Sequence, residues 1–352
     1  MKILFLSRLF YPHIGGVEKH VMEISRLLVE KGHQVSVVTE ELPAEDIPVY
    51  LQSKRLPEHE VFNSIEVYRI PVGKNEWFKK FIIWKWFWTN RKLIEDADIV
   101  HCHDVFFWYL PFRFLFPFKK VFTTFHGYEG YPLKPKDILV HKLSEKLSNG
   151  NICIGDFIQR WYGTKPTYVS YGGVNVSEKR KAKSEKQVER SAVFVGRLDE
   201  QTGFLTYLEA VKKIREKFPD FKFTVFGDGK LRNKINKDID FRGLVENPEK
   251  ELPKFNFIFA SRYLSILEAM AAKRSVLAVY DNPLKKDYLK MSPFADYISI
   301  SDSSEGLAKN VEYFLKNPKE KEKLTNKAFE WVKKQSWGNL SNVCINLWQR
   351  SK

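Results

Sequence analysis

The sequence predicts an α/β protein of two domains, each built on a doubly wound parallel sheet. Apolar runs of strand length alternate with helical segments over about 170 residues, and the alternation restarts after position 190. Between the two series, residues 177–190 are mostly charged and have no apolar period. A chain of 352 residues is long enough for two hydrophobic cores. We therefore expect domains at 1–176 and 191–320, a linker at 177–190 and a helical tail at 321–352.

The first domain opens with a strand–helix–strand unit. Lys2–Ser7 has the length of a strand, a helix is expected over about Val17–Lys31, and Gln34–Thr39 follows as the next strand. Gly15 and Gly16 stand at the entrance of the helix. Glycines there let the backbone approach a phosphate closely, or they serve only to make the turn. The turn lacks a G-x-G-x-x-G motif, so a dinucleotide site is not predicted.

The remaining elements follow the same alternation. In the first domain, further strands are predicted at Ile65–Ile70, Ile99–Cys102, Val121–Phe125, Ile152–Ile154 and Tyr168–Ser170. In the second, strands are predicted at Ala192–Val195, Phe223–Phe226, Phe241, Asn256–Ala260, Ser275–Tyr280 and Tyr297–Ile300. A helix is expected over about Phe204–Phe218. The tail, Lys321–Gln349, has the apolar spacing of one or two helices.

A short helix between two buried strands is the most informative local pattern. The segment 261–272 (SRYLSILEAMAA) lies between Asn256–Ala260 and Ser275–Tyr280. This order places a helix N-terminus at the carboxyl edge of a parallel sheet, where free N–H groups favour an anion such as a diphosphate. Ser265 and Glu268 also have the spacing of a capping box, in which Glu268 only ties down its own helix. The local pattern leaves both interpretations open.

Composition indicates the class of partner. The formal net charge of +15 favours nucleic acid, an acidic membrane face or phosphorylated substrates. We expect no nucleic-acid partner, because the basic residues are spread along the chain and no nucleic-acid-binding module is recognisable. The three widely spaced cysteines predict no disulfide framework and fit a reducing, cytoplasmic compartment. No apolar run approaches the roughly 20 residues that span a bilayer.

Two aromatic and basic stretches stand out in the first domain. Residues 76–88 (EWFKKFIIWKWFW) contain seven aromatic residues, beginning with Trp77, and residues 106–120 (FFWYLPFRFLFPFKK) repeat the theme. Aromatic rings beside lysines are typical of a face that lies in the lipid headgroup region. The alternative is a core helix and a buried loop, because aromatics dominate ordinary cores. The first interpretation predicts a peripheral protein on the cytoplasmic face of an anionic membrane.

A metal site is not predicted. His101, Cys102, His103 and Asp104 are all potential ligands at one strand end. Successive strand residues point to opposite faces, so only His101 and His103 could converge, and no second cluster completes a site. A polar strand end that contacts an acceptor through His103 or Asp104 is the better hypothesis.

Five motifs together resemble the retaining glycosyltransferases of family 4, which have the two-domain GT-B fold. They are PHIGGVE at Pro12–Glu18, YGGV at Tyr171–Val174, VGRL at Val195–Leu198, FGDG at Phe226–Gly229 and LEAMA at Leu267–Ala271. The resemblance covers nearly the whole chain. It implies two Rossmann-like domains that face a central cleft.

The resemblance implies a nucleotide-sugar donor such as a UDP- or GDP-sugar, held between the domains without a metal. Arg197 would pair with the diphosphate, since a guanidinium is always charged and bonds bidentately to phosphate oxygens. Glu268 would accept hydrogen bonds from the ribose hydroxyls, and His126 would lie near the transferred sugar. The expected reaction moves that sugar to an acceptor hydroxyl with retention, in cell-surface polysaccharide or glycolipid synthesis.

These implications assign the candidate residues. The expected catalytic residues are His126 and Arg197. The structural alternative is a strand-end hydrogen bond for His126 and a surface salt bridge for Arg197. The expected donor-binding residues are Gly15, Gly16, Gly196, Arg197, Thr202, Gly227, Asp228, Arg262, Tyr263, Leu264, Ser265 and Glu268. The expected residues for a glycan or lipid-linked acceptor are His103, Asp104 and Tyr128.

Two positions depart from the family's pattern. The first glutamate of its donor motif falls at Ala260, and the lysine that normally precedes a glycine after VGRL is Thr202. Backbone N–H groups of Leu264 and Ser265 would still hold phosphate, and Arg262 would supply the lost charge. The alternative is a catalytically impaired homologue that acts as a binding subunit.

Overall fold

Apolar strands and amphipathic helices alternate along the chain of the computed structural model and build one parallel sheet in each of two units. The first unit comprises Met1–Ser170 and Trp337–Lys352, and the second comprises Tyr171–Ser336. The residues that the structure describes are 1–13, 15–42, 56–73, 78–176 and 188–350. None of the described helices is long and apolar enough to span a bilayer.

The first unit contains eight described strands and seven described helices. The strands are β1 (Lys2–Ser7), β2 (Gln34–Glu40), β3 (His59–Phe62), β4 (Ile65–Ile70), β5 (Ile99–His103), β6 (Lys120–Phe125), β7 (Gly150–Ile154) and β8 (Tyr168–Ser170). The helices are α1 (Gly16–Glu30), α2 (Lys79–Thr89), α3 (Lys92–Asp96), α4 (Phe106–Leu115), α5 (Pro135–Leu147), α6 (Phe157–Tyr162) and, from the end of the chain, α13 (Trp337–Gln349).

The first sheet has the strand order β3-β4-β2-β1-β5-β6-β7-β8. All neighbouring strands pair in parallel except β3, which runs antiparallel to β4. The order reverses between β1 and β5, and in an open α/β sheet ligands bind beyond the carboxyl ends of the strands at such a switch point. Ser7 and His103 are the residues at those two ends.

The second unit is a six-stranded parallel sheet among the described residues, in the order β11-β10-β9-β12-β13-β14. Its strands are β9 (Val188–Val195), β10 (Lys222–Phe226), β11 (Asp240–Phe241), β12 (Phe255–Phe259), β13 (Ser275–Val279) and β14 (Ser299–Ser301). Its helices are α7 (Phe204–Lys217), α8 (Pro248–Glu251), α9 (Tyr263–Ala271), α10 (Pro283–Lys290), α11 (Ser304–Lys316) and α12 (Pro318–Val332). The switch point lies between β9 and β12.

Burial explains why these segments form strands and helices. Every residue of β5, β7, β12 and β13 is buried, as expected for parallel strands that are covered on both faces. In α1, the buried residues Val21, Ile24 and Leu28 recur at helical spacing and form one apolar face. The predicted α/β class with doubly wound sheets is confirmed.

The domain boundaries differ from the predicted ones at the C-terminal tail. Helix α12 belongs to the second unit, whereas α13 packs on α1, β7 and β8 of the first. Leu340, Cys344, Leu347 and Trp348 are buried there, and Trp348 Nε1 donates to His101 Nδ1 over 3.1 Å. Helical periodicity predicts that α13 has an apolar face, but not which surface covers that face.

Two smaller differences concern the ends of the first domain. The N-terminal segment of the first unit ends at Ser170 rather than at residue 176. Most of the predicted linker, 177–187, lies outside the described residues, and positions 188–190 already belong to β9.

Strand β3 was not predicted, because its alternation of half-buried and exposed residues (HEVF) is short and polar.

Candidate functional site

Three histidines meet at the switch point of the first sheet. His103 is the last residue of β5, His126 follows β6, and His20 lies on the buried face of α1. His103 Nδ1 and His126 Nε2 are 2.8 Å apart, and the His20 ring meets the His126 ring edge-on with centroids 4.6 Å apart. His20 and His103 are buried, and His126 is half-buried. The cluster joins two predicted site residues to one that the sequence interpretation missed.

The signal for His20 was present in the helix pattern. His20 is four residues before Ile24 and eight before Leu28, so it lies on the apolar face of α1. A polar residue on that face, in the second turn of a helix that begins at a switch point, is placed to reach the carboxyl edge of the sheet. Helical position alone does not show which strand ends it meets.

Burial keeps the three imidazoles neutral. It lowers the pKa of His20 to about 3, and it lowers the pKa values of His103 and His126 well below their usual range. Neighbouring histidines lower the pKa values of His103 and His126 further. A neutral imidazole has one donor and one acceptor nitrogen. His126 therefore offers a hydrogen bond at this edge and carries no charge near neutral pH.

Asp104 fixes the backbone of His126. It turns the chain after β5 with φ of +60°, in the left-handed region, and its Oδ1 accepts a hydrogen bond of 2.9 Å from the His126 backbone N–H. Tyr128 is half-buried, and its ring packs edge-on against Phe157 at 5.9 Å. The structure thus brings the predicted acceptor residues His103 and Asp104 into contact with His126, with Tyr128 two residues further along.

The glycine pair at the start of α1 has two different environments. A Cβ at Gly15 would overlap the carboxylate of Glu18, which also lies 3.2 Å from His13 Nδ1. Gly15 therefore leaves room for a protein carboxylate in its own helix turn. Gly16 has open space around the position of a Cβ. Of the two glycines, only Gly16 has the free surface that a bound phosphate would need.

In the second unit, two glycine turns pack backbone against backbone. Gly196 follows β9 and Gly227 follows β10, with φ of +157° and +135°. Gly196 N–H donates to Phe226 O over 3.1 Å, and Leu198 N–H donates to Asp228 O over 2.9 Å. A Cβ on Gly227 would collide with Gly196 O. These glycines are required for the approach of the two turns to each other.

Arg197 presents its guanidinium at the carboxyl end of β9. Its side chain is 64% exposed, and its Nε pairs with Asp199 Oδ2. Asp199 also accepts from Thr202 N–H over 2.9 Å, and Thr202 Oγ1 donates to Arg197 O over 2.8 Å. Because Thr202 is buried and its hydroxyl bonds to the turn itself, its role in the structure is to hold the turn that carries Arg197.

A second cation reaches the same turn from the end of β12. Arg262 Nη2 donates to Gln201 Oε1 over 2.7 Å, so the guanidinium of Arg262 lies beside the residue that precedes Thr202. Its Cζ is 5.9 Å from the centre of the Tyr288 ring. The Tyr288 ring stacks on Tyr263, and its hydroxyl accepts from Tyr263 N–H over 2.9 Å. Tyr263 is buried and supports this edge rather than facing solvent.

A third cation, Lys285, was not predicted. Its side chain extends from the first turn of α10, and only 1% of it is exposed. Nζ donates to Ser261 O over 2.5 Å and lies 4.6 Å from the centre of the Tyr288 ring. Burial, and then the positive charge of Arg262, lower the pKa of Lys285 well below its usual range. Lysine is a poor sequence signal for burial, because it is almost never fully buried.

The capping-box interpretation of Ser265 and Glu268 is wrong. Helix α9 begins at Tyr263, two residues before Ser265, and its N-cap is Arg262, which makes no side-chain cap hydrogen bond. Leu264 and Ser265 therefore lie in the first turn, where backbone N–H groups have no partner within the helix. Glu268 is buried on the inner face of α9. The first turn of α9 retains the character of an anion-binding helix end.

Within β5, His101 makes hydrogen bonds to residues outside the histidine cluster. Its Nε2 is 2.8 Å from Thr124 Oγ1, and its Nδ1 accepts from Trp348. Cys102 is buried, and burial raises the pKa of its thiol far above the neutral range. Neither residue joins the cluster of His20, His103 and His126.

Comparison with known proteins places both units in one enzyme class. Residues 14–178 match the model described as Glycosyltransferase Family 4, and residues 189–317 match the model described as Glycosyl transferases group 1. A phosphatidyl-myo-inositol mannosyltransferase of Mycolicibacterium smegmatis is 23% identical over 365 residues, covering 95% of this chain and 90% of the relative.

Solved structures share the fold. TarM of S. aureus has a TM-score of 0.74 at 12% identity, with 99% of each chain covered. Anabaena HepE, solved with UDP and glucose, has a TM-score of 0.71 at 14% identity, with 98% of each chain covered. The two parallel-sheet units therefore have the GT-B fold. The chain belongs to glycosyltransferase family 4, as its motifs indicated.

Proposed function

We propose that this glycosyltransferase transfers a hexose from a UDP- or GDP-sugar to the hydroxyl of a lipid-linked or glycan acceptor, with retention at the anomeric carbon. The observation that carries the proposal is that Arg197, Arg262 and the first turn of α9 all lie at the carboxyl edge of the second sheet, at its switch point. Guanidinium groups and helix N-termini are suited to a diphosphate. We expect this reaction to need no metal, because Arg197 and Arg262 would supply the positive charge that stabilises the leaving diphosphate.

The charge arrangement in the second unit supports a donor site of this kind. Lys285 holds its Nζ against a backbone carbonyl and a ring face, and burial together with the positive charge of Arg262 lowers its pKa. A lowered pKa means that these surroundings disfavour the charged form of the lysine. An anionic ligand beside Arg262 would favour the charged form instead, which suits a diphosphate better than a neutral ligand.

The proposed catalytic action is electrostatic and positional. Arg197 and Arg262 would stabilise the charge that develops on the diphosphate as the bond to the sugar breaks. His126, held by His103 and by Asp104, would make a hydrogen bond to the transferred sugar as a neutral group. None of these roles requires a covalent protein nucleophile. The acceptor hydroxyl would attack the face that the leaving group vacates, and its proton would pass to an oxygen of the departing diphosphate.

A thermal-shift panel tests the donor class. UDP-, GDP- and ADP-sugars are added to the full chain, and the melting temperature is measured for each. We expect UDP- or GDP-sugars to raise the melting temperature, since a ligand at 100 times its Kd stabilises the folded state by about 2.7 kcal/mol. A panel in which no nucleotide sugar changes the melting temperature, with direct titration also silent, would contradict the donor site.

Glu268→Gln tests the proposed ribose contact. Helix α9 begins two residues before Ser265, so Glu268 does not take part in a capping box. A change in nucleotide affinity in this variant therefore does not come from a lost helix cap. If the carboxylate accepts ribose hydroxyls, the change should weaken nucleotide affinity about tenfold, the scale of a hydrogen bond to a charged group. Calorimetric titration measures the affinity, and Glu246→Gln at an exposed loop position is the control. Native affinity in Glu268→Gln would assign the residue to packing alone.

An exposed aromatic surface on the first unit supports a lipid-linked acceptor. Helices α2 and α4 bury part of their aromatic residues, including Phe87, Trp108 and Phe112. The exposed apolar residues of this surface are Phe78, Phe81, Trp88, Phe114, Leu115 and Phe118. Phe118 is 98% exposed. The membrane-facing interpretation and the core interpretation therefore each describe part of these helices. Trp77 lies outside the described residues.

Cations border this aromatic surface. Lys80, Lys85 and Lys120 are exposed, whereas Lys79 pairs with Glu40 and Lys119 donates to backbone carbonyls of residues 95 and 97. Each lysine near an anionic bilayer contributes about 1 kcal/mol. We propose that the surface docks on the cytoplasmic face of an anionic membrane, with the aromatic rings at headgroup depth.

Vesicle sedimentation tests the docking surface. Wild type is expected to sediment with anionic vesicles at low salt and to be released as salt rises, because exposed charges are screened over about 8 Å at physiological ionic strength. Phe81→Ala/Trp88→Ala/Phe118→Ala should stay in the supernatant. The control, Leu205→Ala/Leu244→Ala/Tyr313→Ala, removes three exposed apolar residues from the second unit. Equal sedimentation of both variants would overturn the assignment.

The departures at two motif positions favour a second candidate function. Ala260 is fully buried at the end of β12, and the hydroxyl of Thr202 is used within its own turn. Neither residue offers a charged group to a sugar or a phosphate. A chain that binds the nucleotide sugar without turning it over would act as a binding subunit. Release of nucleoside diphosphate in the presence of acceptor distinguishes the enzyme from that subunit.

A further inference from the structure

We propose that a groove between helices α2 and α4 binds one acyl chain of an anionic membrane phospholipid. The groove has a volume of about 450 Å³, and every side chain that lines it is aromatic or aliphatic. The lining residues are Trp84, Trp88, Pro111, Phe112, Phe114 and Leu115. The inference rests on the proposed docking of this face on a membrane. It goes further, because it assigns a site for a single lipid chain.

A hydrogen bond between the two helices fixes one wall of the groove. Pro111 lies inside α4 and has no backbone N–H, so the carbonyl of Phe107, four residues earlier, loses its helical donor. Trp84 Nε1 on α2 donates to this carbonyl over 3.0 Å. The indole therefore satisfies the backbone group that the proline leaves open. Because the bond orients Trp84 before any ligand binds, little ordering is needed when a chain enters the groove.

Aromatic packing beneath the groove holds the two helices together. The Phe87 ring, on the inner face of α2, lies 5.8 Å from the Phe112 ring and 6.4 Å from the Trp108 ring, both on α4. The outer side is also apolar, since Trp88 is 59% exposed and Phe114 is 71% exposed. A helix that is apolar on all sides normally lies in an apolar environment. The outer side of the groove is thus suited to hydrocarbon.

The charges around the groove favour an anionic lipid. Residues 78–89 and 106–120 contain six basic residues and no acidic one. Lys80 and Lys85 are exposed on α2, and Lys80 Nζ lies 5.5 Å from the centre of the Phe107 ring. A lipid phosphate needs only cations beside it. A second copy of this chain, with its net charge of +15, would instead be repelled.

Titration with a monomeric lipid tests the groove without a bilayer. Dihexanoyl-phosphatidylglycerol is titrated calorimetrically into the full chain below its micelle concentration, and one equivalent should bind. Diheptanoyl-phosphatidylglycerol should bind about two- to fourfold more tightly, because one more methylene is buried in the groove. Glycerol 3-phosphate, which has no chain, should not bind saturably. Absence of saturable lipid binding, or equal affinity for glycerol 3-phosphate, would overturn the proposal.

A variant that fills the groove separates chain binding from membrane docking. Leu115→Trp should lower the affinity for dihexanoyl-phosphatidylglycerol at least tenfold. The control is Leu143→Trp on α5, since Leu143 is 41% exposed and Leu115 is 46% exposed. It should bind as wild type does. Both variants should still sediment with anionic vesicles, because the exposed rings and lysines remain. Equal lipid affinity in Leu115→Trp and the control would overturn the groove.

Wild type alone distinguishes the two proposals. Sedimentation with anionic vesicles but no binding of monomeric lipid would overturn the groove and leave the docking surface. Binding of monomeric lipid without sedimentation would support the groove and contradict the docking surface.

Fluorescence quenching locates the bound chain. Bromine atoms on the acyl chains of a phosphatidylglycerol quench the tryptophans that they contact. At saturating lipid, wild type should be quenched, and Trp84→Phe/Trp88→Phe should lose most of that quenching although the rest of the nine tryptophans are retained. Phenylalanine keeps an aromatic ring at both positions, which preserves most of the packing. Equal quenching in the variant would place the chain elsewhere and would overturn the proposal.

Discussion

Arg197→Ala is expected to weaken the binding of a nucleoside diphosphate by about 10- to 150-fold, which corresponds to about 1.5–3 kcal/mol for a hydrogen bond to a charged group. The guanidinium is largely exposed at the end of β9, and the turn that carries it is fixed by Asp199 and Thr202. Removing the side chain therefore takes away charge without removing the structure that positions it. Calorimetric titration with UDP and GDP measures the effect.

The chain offers a closely matched control for that change. Arg232 is also 64% exposed and pairs with a nearby carboxylate, that of Asp228. Arg232→Ala removes an arginine of equal exposure from the loop after the neighbouring strand, β10. It should change nucleotide affinity less than twofold. An equal loss in both variants would indicate general electrostatic attraction, and no loss in Arg197→Ala would remove Arg197 from the donor site.

Gly227→Ala is expected to have the largest effect on stability. The residue has φ of +135°, and its Cβ would collide with Gly196 O, which belongs to the turn that precedes Arg197. Left-handed backbone costs an alanine about 1–2 kcal/mol, and the collision adds to that. With a shift of about 2–4 °C per kcal/mol for a domain of this size, the melting temperature of the second unit should fall by at least about 5 °C.

A second glycine separates the two causes of that loss. Gly243 also has positive φ, at +64°, but the nearest atom to its Cβ position is 3.9 Å away. Gly243→Ala should therefore cost only the backbone term, about 1–2 kcal/mol. Differential scanning calorimetry of both variants measures the difference. Equal melting temperatures for the two would show that the approach of the Gly196 and Gly227 turns does not contribute to stability.

Much of the fold was predictable because parallel strands are buried on both faces. Runs such as Phe255–Phe259 and Ser275–Val279 read as strands from their apolar residues alone. Strand β3 was missed because an edge strand with few buried residues lacks that signal. The placement of α13 on the first unit was also missed, since periodicity reveals an apolar face but not its partner.

The candidate site was predictable only where residues follow strand ends. His103, His126 and Arg197 each stand at or just after the carboxyl end of a strand, and topology brings such positions to one edge. His20 and Lys285 reach those edges from helices, which no strand pattern indicates. The capping-box hypothesis failed because a capping box requires its serine at the N-cap, and α9 begins two residues earlier.

The most direct test of the central claim is an assay for sugar transfer with product stereochemistry. The full chain is incubated with UDP- and GDP-hexoses and a lipid acceptor fraction, and both nucleoside diphosphate release and the anomeric configuration of the product are measured. The account predicts acceptor-dependent release of UDP or GDP, an α-linked product from an α-linked donor, and strong loss of both in Arg197→Ala but not in Arg232→Ala. A β-linked product, or turnover that Arg197→Ala leaves intact, would contradict it.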